Sequence, residues 1–151
     1  MEQRLSLVTL DVADLARSRR FYEEGLGWRA SGASTEEVAF FQLGGIALAP
    51  WGREALAEDA RLPGPGPGGG FGGIALAHNV RTRDEVDAIL ARARVAGGRV
   101  LRPGEDASWG GYTGYFADPD GHLWEVAGTL TLRCGTTAAC GCRLPCARRG
   151  R

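Results

Sequence analysis

Short apolar runs with strand character alternate along this chain with segments of helical periodicity. Residues 5–12 form the first apolar run, and Asp14 then offers a helix cap before apolar side chains at near-helical spacing. Gly25 and Gly27 end this predicted helix. Three short strands are predicted after it, at 28–31, 38–43 and 46–49. The pair Gly44-Gly45 predicts a hairpin turn between the last two, so the order is β-α-β-β-β.

The same order of elements returns in the second part of the chain. Residues 73–80 are again an apolar strand, and Thr82 with Glu85 forms a capping box that opens a helix. The strands predicted after this helix lie at 99–101, 112–117 and 122–127. The two halves repeat with a period of about 66 residues. Because neither half covers its inner face alone, the pattern predicts an α+β fold of two tandem βαβββ modules, whose curved sheets surround a cavity.

These elements predict one domain over residues 1–127. Module 1 covers about 4–51, module 2 covers about 73–127, and the linker 52–72 between them contains a run rich in proline and glycine. Residues 128–151 form an atypical tail, which has no periodicity and holds all 4 cysteines. The body is therefore not a disulfide scaffold.

Charge and composition narrow the classes of function. The 18 basic and 18 acidic residues cancel, which gives no electrostatic reason to expect a nucleic acid or an anionic membrane as a partner. The apolar runs have the length of strands, and the amino terminus enters a strand pattern without a signal peptide. We therefore expect a cytoplasmic protein.

Two segments resemble a known family. The first is the stretch 12–28, which contains Val-Ala-Asp-Leu and Phe-Tyr-Glu-Glu-Gly-Leu-Gly-Trp, and the second is 115–126, which reads Tyr-Phe-Ala-Asp-Pro-Asp-Gly-His-Leu-Trp-Glu-Val. Both resemble the vicinal oxygen chelate superfamily of glyoxalases, bleomycin resistance proteins and extradiol dioxygenases. The resemblance extends over residues 5–127 and implies the duplicated fold predicted above.

The resemblance also implies where a metal would bind. Metal-dependent members place ligands on the first and fourth strands of each half, which correspond here to Leu7, about Leu48, Gly73 and Glu125. Only Glu125 has a donor side chain. Because a catalytic divalent ion needs roughly three protein ligands, we expect a metal-independent protein without a cofactor.

Strand alternation indicates which side chains face the cavity if the matched ligand positions point inward. On the first strand these include Thr9 and Asp11, and on the fifth strand small residues precede Asn79. Aromatic side chains are expected to form the walls, namely Phe41, Trp51, Trp109, Tyr112 and Tyr115. The alternative for Phe41 and Tyr115 is a place in the core.

Glu125 is the most informative candidate, since an inward carboxylate without a metal requires a hydrogen-bond partner. Thr9, Asn79, a tyrosine hydroxyl or the ligand itself could supply it. Glu125 and Asp11 could also act as a general acid/base pair, or Glu125 could be structural. His78 and His122 are expected to be structural.

Three functions follow from the resemblance. The first is metal-independent binding of a medium-sized, partly aromatic small molecule by a homodimer, as in bleomycin resistance proteins. The second is a lyase, isomerase or dioxygenase that uses Glu125 with or without a divalent metal. The third is an accessory protein with a vestigial cavity.

The tail has two interpretations. Its cysteines could form a metal site, but the paired C-x-x-C spacing of a zinc ribbon is missing. Alternatively, the tail is an out-of-frame ending. Relatives usually continue past Trp-Glu-Val-Ala with Trp-Asn-Pro, which codons for Gly-Thr-Leu can spell when read one base earlier.

Overall fold

The computed structural model describes residues 5–61, 73–108 and 110–128. The strands in these residues are β1 (Leu7–Val12), β2 (Phe41–Leu43), β3 (Ile46–Gly52), β4 (Ala75–Val80), β5 (Arg99–Asp106), β6 (Tyr112–Ala117) and β7 (Leu123–Gly128). The helices are α1 (Leu15–Arg20), which continues into a π-helical turn (Phe21–Gly25), α2 (Arg53–Asp59) and α3 (Arg83–Val95). None of these helices is long and apolar enough to cross a lipid bilayer.

The strands form two curved sheets, one from each module. The first sheet has the order β1-β3-β2 and the second has the order β4-β7-β6-β5. In both, the first strand of the module runs parallel to the last one, β1 beside β3 and β4 beside β7. This repeated connection confirms the predicted α+β fold, and the sheets remain unclosed within one chain.

Each sheet has a helix face, which packs against α1 or α3, and an opposite face that we call the open face. On β1, Leu10 and Val12 are buried on the helix face, which agrees with the predicted alternation. On β7 the same face carries Trp124 and Val126, and the ring of Trp124 stacks on Phe116 with centroids 6.0 Å apart. Leu10, Phe116, Trp124 and Val126 belong to a single core to which both modules contribute.

The Asp-Pro-Asp-Gly turn of the second module forms hydrogen bonds with the first module. The Tyr22 hydroxyl donates to Oδ2 of buried Asp118 over 2.7 Å, and Nε1 of Trp124 donates to the Tyr22 oxygen over 3.3 Å. Oδ1 of Asp120 accepts from the backbone N–H of Ala13 over 2.9 Å. The family-like turn therefore has a structural role at the contact between modules.

The helices α1 and α3 begin at the side-chain caps that the sequence predicts. Oδ1 of Asp14 accepts from the backbone N–H of Arg17, and this bond lowers the pKa of the Asp14 carboxyl. At α3, the predicted capping box is confirmed, since Thr82 Oγ1 accepts from the Glu85 N–H while Glu85 Oε2 accepts from the Thr82 N–H.

The strand predicted at 28–31 is reduced to a single bridge between Ala30 and Phe41, and the strand predicted at 38–43 begins at Phe41. The reason lies in the intervening loop, where side-chain hydroxyl groups accept hydrogen bonds from backbone N–H groups. Ser34 Oγ accepts from Phe40, and Thr35 Oγ1 accepts from Val38. These local bonds compete with the strand ladder.

The predicted linker 52–72 begins with a short helix that was not predicted. Residues Arg53–Asp59 form α2, which packs against β1 and β3. The proline- and glycine-rich remainder, 62–72, lies outside the described residues. So do residues 129–151 of the tail, with the 4 cysteines on which its two interpretations depend.

Candidate functional site

The open face of the second sheet carries a row of side chains in register across all four of its strands. Ala77 on β4 is opposite Glu125 on β7, Glu125 is opposite Tyr115 on β6, and Tyr115 is opposite Arg102 on β5. Residues directly opposite one another in a sheet point to the same side. The row therefore places a carboxylate, a phenol and a guanidinium next to one another.

One hydroxyl group holds the half-buried Glu125 carboxylate, and a second residue with a hydroxyl lies directly opposite it. Thr113 Oγ1 donates to Glu125 Oε1 over 3.0 Å, and Tyr115 is in register with Glu125 on the neighbouring strand. Burial raises the pKa of Tyr115, and the negative charge of Glu125 raises it further. Tyr115 is therefore a neutral donor at physiological pH. The observed donor, Thr113, was not among the partners expected for Glu125, which were Thr9, Asn79, a tyrosine hydroxyl or the ligand.

Arg102 completes the row and was not among the predicted site residues. Its Cζ atom lies 4.6 Å from the centroid of the Tyr115 ring, and its Nε is 3.3 Å from Oε1 of Glu105. The pairing of β5 with β6 shifts register on both sides of Arg102. Simple alternation along the sequence cannot assign a face to a residue between two such irregularities.

The β4 side of this open face is floored by small residues. Ala75 and Ala77 are exposed, and both lie on the side opposite Leu76, which packs against the core. Asn79, predicted to face the cavity, follows on the same side in register with Ala127. The predicted small floor is thus in place next to Glu125.

The open face of the first sheet brings together Thr9, Asp11 and Trp51. Thr9 is in register with Ala49, and Asp11 with Trp51. Asp11 Oδ2 forms an ion pair of 2.6 Å with Nε of Arg53, and Nε2 of His122 lies 2.8 Å from the Asp11 carbonyl oxygen. His122 therefore has the structural role expected for it.

The two carboxylates considered as an acid/base pair belong to different sheets. Asp11 is engaged by Arg53 and His122, whereas Glu125 is engaged by Thr113. The structure does not join Asp11 and Glu125 by a shared hydrogen bond. Among the described residues, the proton donor to Glu125 is the Thr113 hydroxyl and not a second carboxylic acid.

Two predicted wall residues face the other way. Phe41 is 1% exposed in the core, because its pairing with Leu48 puts both on the helix face. Tyr112 also lies on the helix face, where its hydroxyl donates to Asp87 of α3 over 3.1 Å. Tyr112 and Tyr115 are separated by an odd number of positions on one strand, which places them on opposite faces. Trp109 lies outside the described residues.

The ligand positions implied by the resemblance do not form a metal site. Leu48 is on the helix face, so its open-face neighbours on β3 are Ala47 and Ala49. Neither alanine has a donor side chain, and neither do Leu7 and Gly73. Within the described ranges, no three His, Cys, Asp or Glu side chains are grouped closely enough to hold a metal ion. The donor set around Glu125 therefore does not fit a divalent ion.

A groove of about 540 Å³ lies elsewhere, between α1 with its π-helical turn and α3. Two of the arginines that line it are used in the contact between modules. The terminal nitrogen of Arg17 donates to Asp120 over 2.6 Å, and Nε of Arg92 donates to the carbonyl oxygen of Gly25 over 2.5 Å. We therefore assign this groove to module packing and the candidate site to the open face.

Residues 4–126 match the family described as the Glyoxalase/Bleomycin resistance protein/Dioxygenase superfamily. The chain belongs to this superfamily. A solved structure described as a glyoxalase-related enzyme from Fulvimarina pelagi is 41% identical, with a TM-score of 0.77 over 85% of this chain and 89% of that one. Family membership thus rests on sequence and on structure, and it confirms the resemblance described above.

More distant members of the superfamily share the fold. A glyoxalase/bleomycin resistance protein/dioxygenase from Nocardioides is 24% identical, with a TM-score of 0.73 over 91% of each chain. A lactoylglutathione lyase from Agrobacterium tumefaciens is 21% identical, with a TM-score of 0.62 over 85% of this chain and 95% of that one. A comparison with curated proteins found no match.

Proposed function

We propose that this superfamily member binds a medium-sized, partly aromatic small molecule around Glu125 without a metal, and sequesters it. The observation that carries the proposal is the carboxylate of Glu125 on an open face, where it accepts a hydrogen bond from Thr113 and lies directly opposite Tyr115. The exposed alanines of β4 leave space beside it. A carboxylate with a second oxygen facing a cleft accepts hydrogen bonds from a ligand, and sequestration requires no further chemistry.

We further propose that two copies of the chain form a homodimer that covers the open faces. β1 and β4 are both edge strands, each with one unpaired side among the described strands. Large apolar side chains are exposed next to these edges, with Leu5 at 74%, Leu7 at 41% and Ile74 at 71%. Exposed apolar edges favour pairing with a second chain. A twofold arrangement would bring β1 of each copy towards β4 of the other.

Catalysis is the second candidate function, because the structure that is 41% identical is described as a glyoxalase-related enzyme. In that case Glu125 would act as the general base and the neutral Tyr115 hydroxyl would return the proton. Both groups lie on one open face, directly opposite each other on neighbouring strands. Asp11 would not participate within the same chain, because Arg53 holds its carboxylate.

The test is a thermal-shift screen of aromatic metabolites and antibiotics, run with EDTA and again with added Mg²⁺ or Zn²⁺. A ligand that binds only the folded protein raises the melting temperature. We expect hits that are insensitive to EDTA and that weaken in Glu125→Gln. Glu36→Gln serves as the control, because Glu36 is exposed in the loop before β2.

Three results would count against parts of this proposal. Hits that require a divalent ion contradict metal independence. Turnover of a hit, lost in Glu125→Gln, favours the enzyme over sequestration. Sedimentation of the protein as a monomer at micromolar concentration contradicts the homodimer.

A further inference from the structure

Arg102 is the one strongly cationic group in the described row that contains Glu125 and Tyr115. Its guanidinium lies over the Tyr115 ring in a cation–π contact, with Cζ 4.6 Å from the ring centroid. Tyr115 is itself placed directly opposite Glu125 by the pairing of β6 with β7. The guanidinium therefore has a defined position relative to the carboxylate, one strand beyond the phenol.

The contacts of Arg102 within the described part of the chain leave its terminal nitrogens available. Nε lies 3.3 Å from Oε1 of Glu105 without forming a hydrogen bond, and the side chains of this pair are 40% and 54% exposed. Exposed pairs of this kind contribute little to stability. A guanidinium has five N–H donors in a planar fork that matches a carboxylate or phosphate. An arginine whose guanidinium lies over one ring face still presents its terminal fork.

We propose that Arg102 is a specificity-determining residue that binds an anionic oxygen group of the ligand, while Glu125 accepts a hydrogen bond from a donor on the same molecule. This inference rests on the proposed function and names the class of ligand: a small aromatic acid that also carries an N–H or O–H donor. Neighbouring strands are about 4.8 Å apart, so the side chains of β5 and β7 start roughly 10 Å apart. A ligand whose acid and donor are at opposite ends of one aromatic ring suits this separation.

The geometry also explains why the two charges do not neutralise each other. Tyr115 lies between Glu125 and Arg102 in the row, and Thr113 Oγ1 already donates to one oxygen of the carboxylate. Glu105 Oε1 lies 3.3 Å from Nε of the guanidinium. Each group therefore keeps hydrogen-bonding capacity directed at the open face, and a ligand with both kinds of group engages both.

The test uses 4-aminobenzoate as the probe, with 4-aminobenzamide as its neutral analogue and benzoate as the analogue without a donor. Affinities are measured by titration followed by NMR chemical-shift changes. We expect 4-aminobenzoate to bind about tenfold more tightly than the amide, because a hydrogen bond between charged groups is lost in the latter. In Arg102→Gln this tenfold preference disappears, and in Arg102→Lys part of it remains because the charge is kept.

Arg83→Gln is a closely matched control. Arg83 lies over a tyrosine ring, with Cζ 5.0 Å from the centroid of Tyr112, and pairs with Asp106. Its contacts are of the same kinds as those of Arg102, but they belong to the helix face. The preference for the acid must survive this substitution.

The outcomes separate this inference from the proposed function. Equal affinity for 4-aminobenzoate and its amide, or an acid preference retained in Arg102→Gln, overturns the inference and leaves binding at Glu125 standing. The inference is also overturned, and binding at Glu125 left standing, if a neutral compound from the screen binds at Glu125 while 4-aminobenzoate does not. If neither the probes nor any compound of the screen shifts resonances on the open face, both are overturned.

Discussion

The hydroxyl group of Tyr22 offers a sharp test of how the two modules share one core. Tyr22 is fully buried, and its hydroxyl donates to Asp118 over 2.7 Å and accepts from Trp124 over 3.3 Å. Tyr22→Phe removes the donor and leaves a carboxylate oxygen of Asp118 and an indole N–H without this partner. Asp118 is itself only 4% exposed, so water does not readily replace the lost bond.

The expected loss follows from these contacts. A hydrogen bond to a charged group contributes about 1.5–3 kcal/mol, and a buried polar group left unsatisfied adds to the loss. We expect the free energy of unfolding to fall by roughly 3 kcal/mol, which corresponds to a drop of roughly 10 °C in melting temperature for a domain of this size. Urea denaturation followed by tryptophan fluorescence measures the change.

Tyr112→Phe is the control for this substitution, because it removes the same atom. The Tyr112 hydroxyl also donates to an aspartate, Asp87, but across an exposed surface at 3.1 Å. We expect a change within about 0.5 kcal/mol there. A loss below about 1 kcal/mol for Tyr22→Phe, or equal losses for the two variants, would refute the argument from burial.

The same tyrosine predicts a dependence on alkaline pH. Burial raises the pKa of Tyr22 well above its ordinary value of 10.0, and the nearby charge of Asp118 raises it further. The folded state therefore keeps a proton that the unfolded chain releases as the pH rises past 10. This contribution to stability is complete below pH 10 and is lost above it, so wild type should lose stability above pH 10 more steeply than Tyr22→Phe.

Two further substitutions test the core position of one side chain and the capping role of another. Phe41→Ala should lower the free energy of unfolding by about 3–4 kcal/mol, because it empties a core position that is 1% exposed. A loss below about 1 kcal/mol in urea denaturation would contradict this core position and favour a place for Phe41 in the cavity wall. Thr82→Ala should cost about 1 kcal/mol by removing the cap of α3, and Thr82→Ser should retain most of it. Equal losses for the alanine and serine variants would contradict the capping role.

Local signals were sufficient to predict the fold. The caps at Asp14 and Thr82 form the predicted hydrogen bonds, and alternation along β1 assigns Leu10 and Val12 to the core. These features depend on neighbours in sequence, which is why they can be deduced without coordinates. The position of Phe41 depends instead on which residue of β3 it pairs with across the hairpin. One step of register moves a side chain to the other face.

The site was predicted in part for the same reason. Tyr115 and Glu125 are placed by regular strands, and the structure puts them directly opposite each other. Tyr112 was predicted both to begin the strand 112–117 and to form a cavity wall. It does begin β6, but its odd separation from Tyr115 places it on the helix face. Arg102 required knowledge of two register shifts in β5, which no composition rule reveals.

Retention of Glu125 without the other metal ligands is physically consistent. A carboxylate in a cleft loses hydration, and the loss must be offset by donors. In a metal site the ion supplies this compensation, whereas here the Thr113 hydroxyl donates to Glu125 and the Tyr115 phenol lies on the strand position directly opposite. Because burial and the charge of Glu125 both raise the pKa of Tyr115, that phenol stays protonated at neutral pH. The same carboxylate that would bind an ion in a relative is thereby suited to accept a hydrogen bond from an organic ligand.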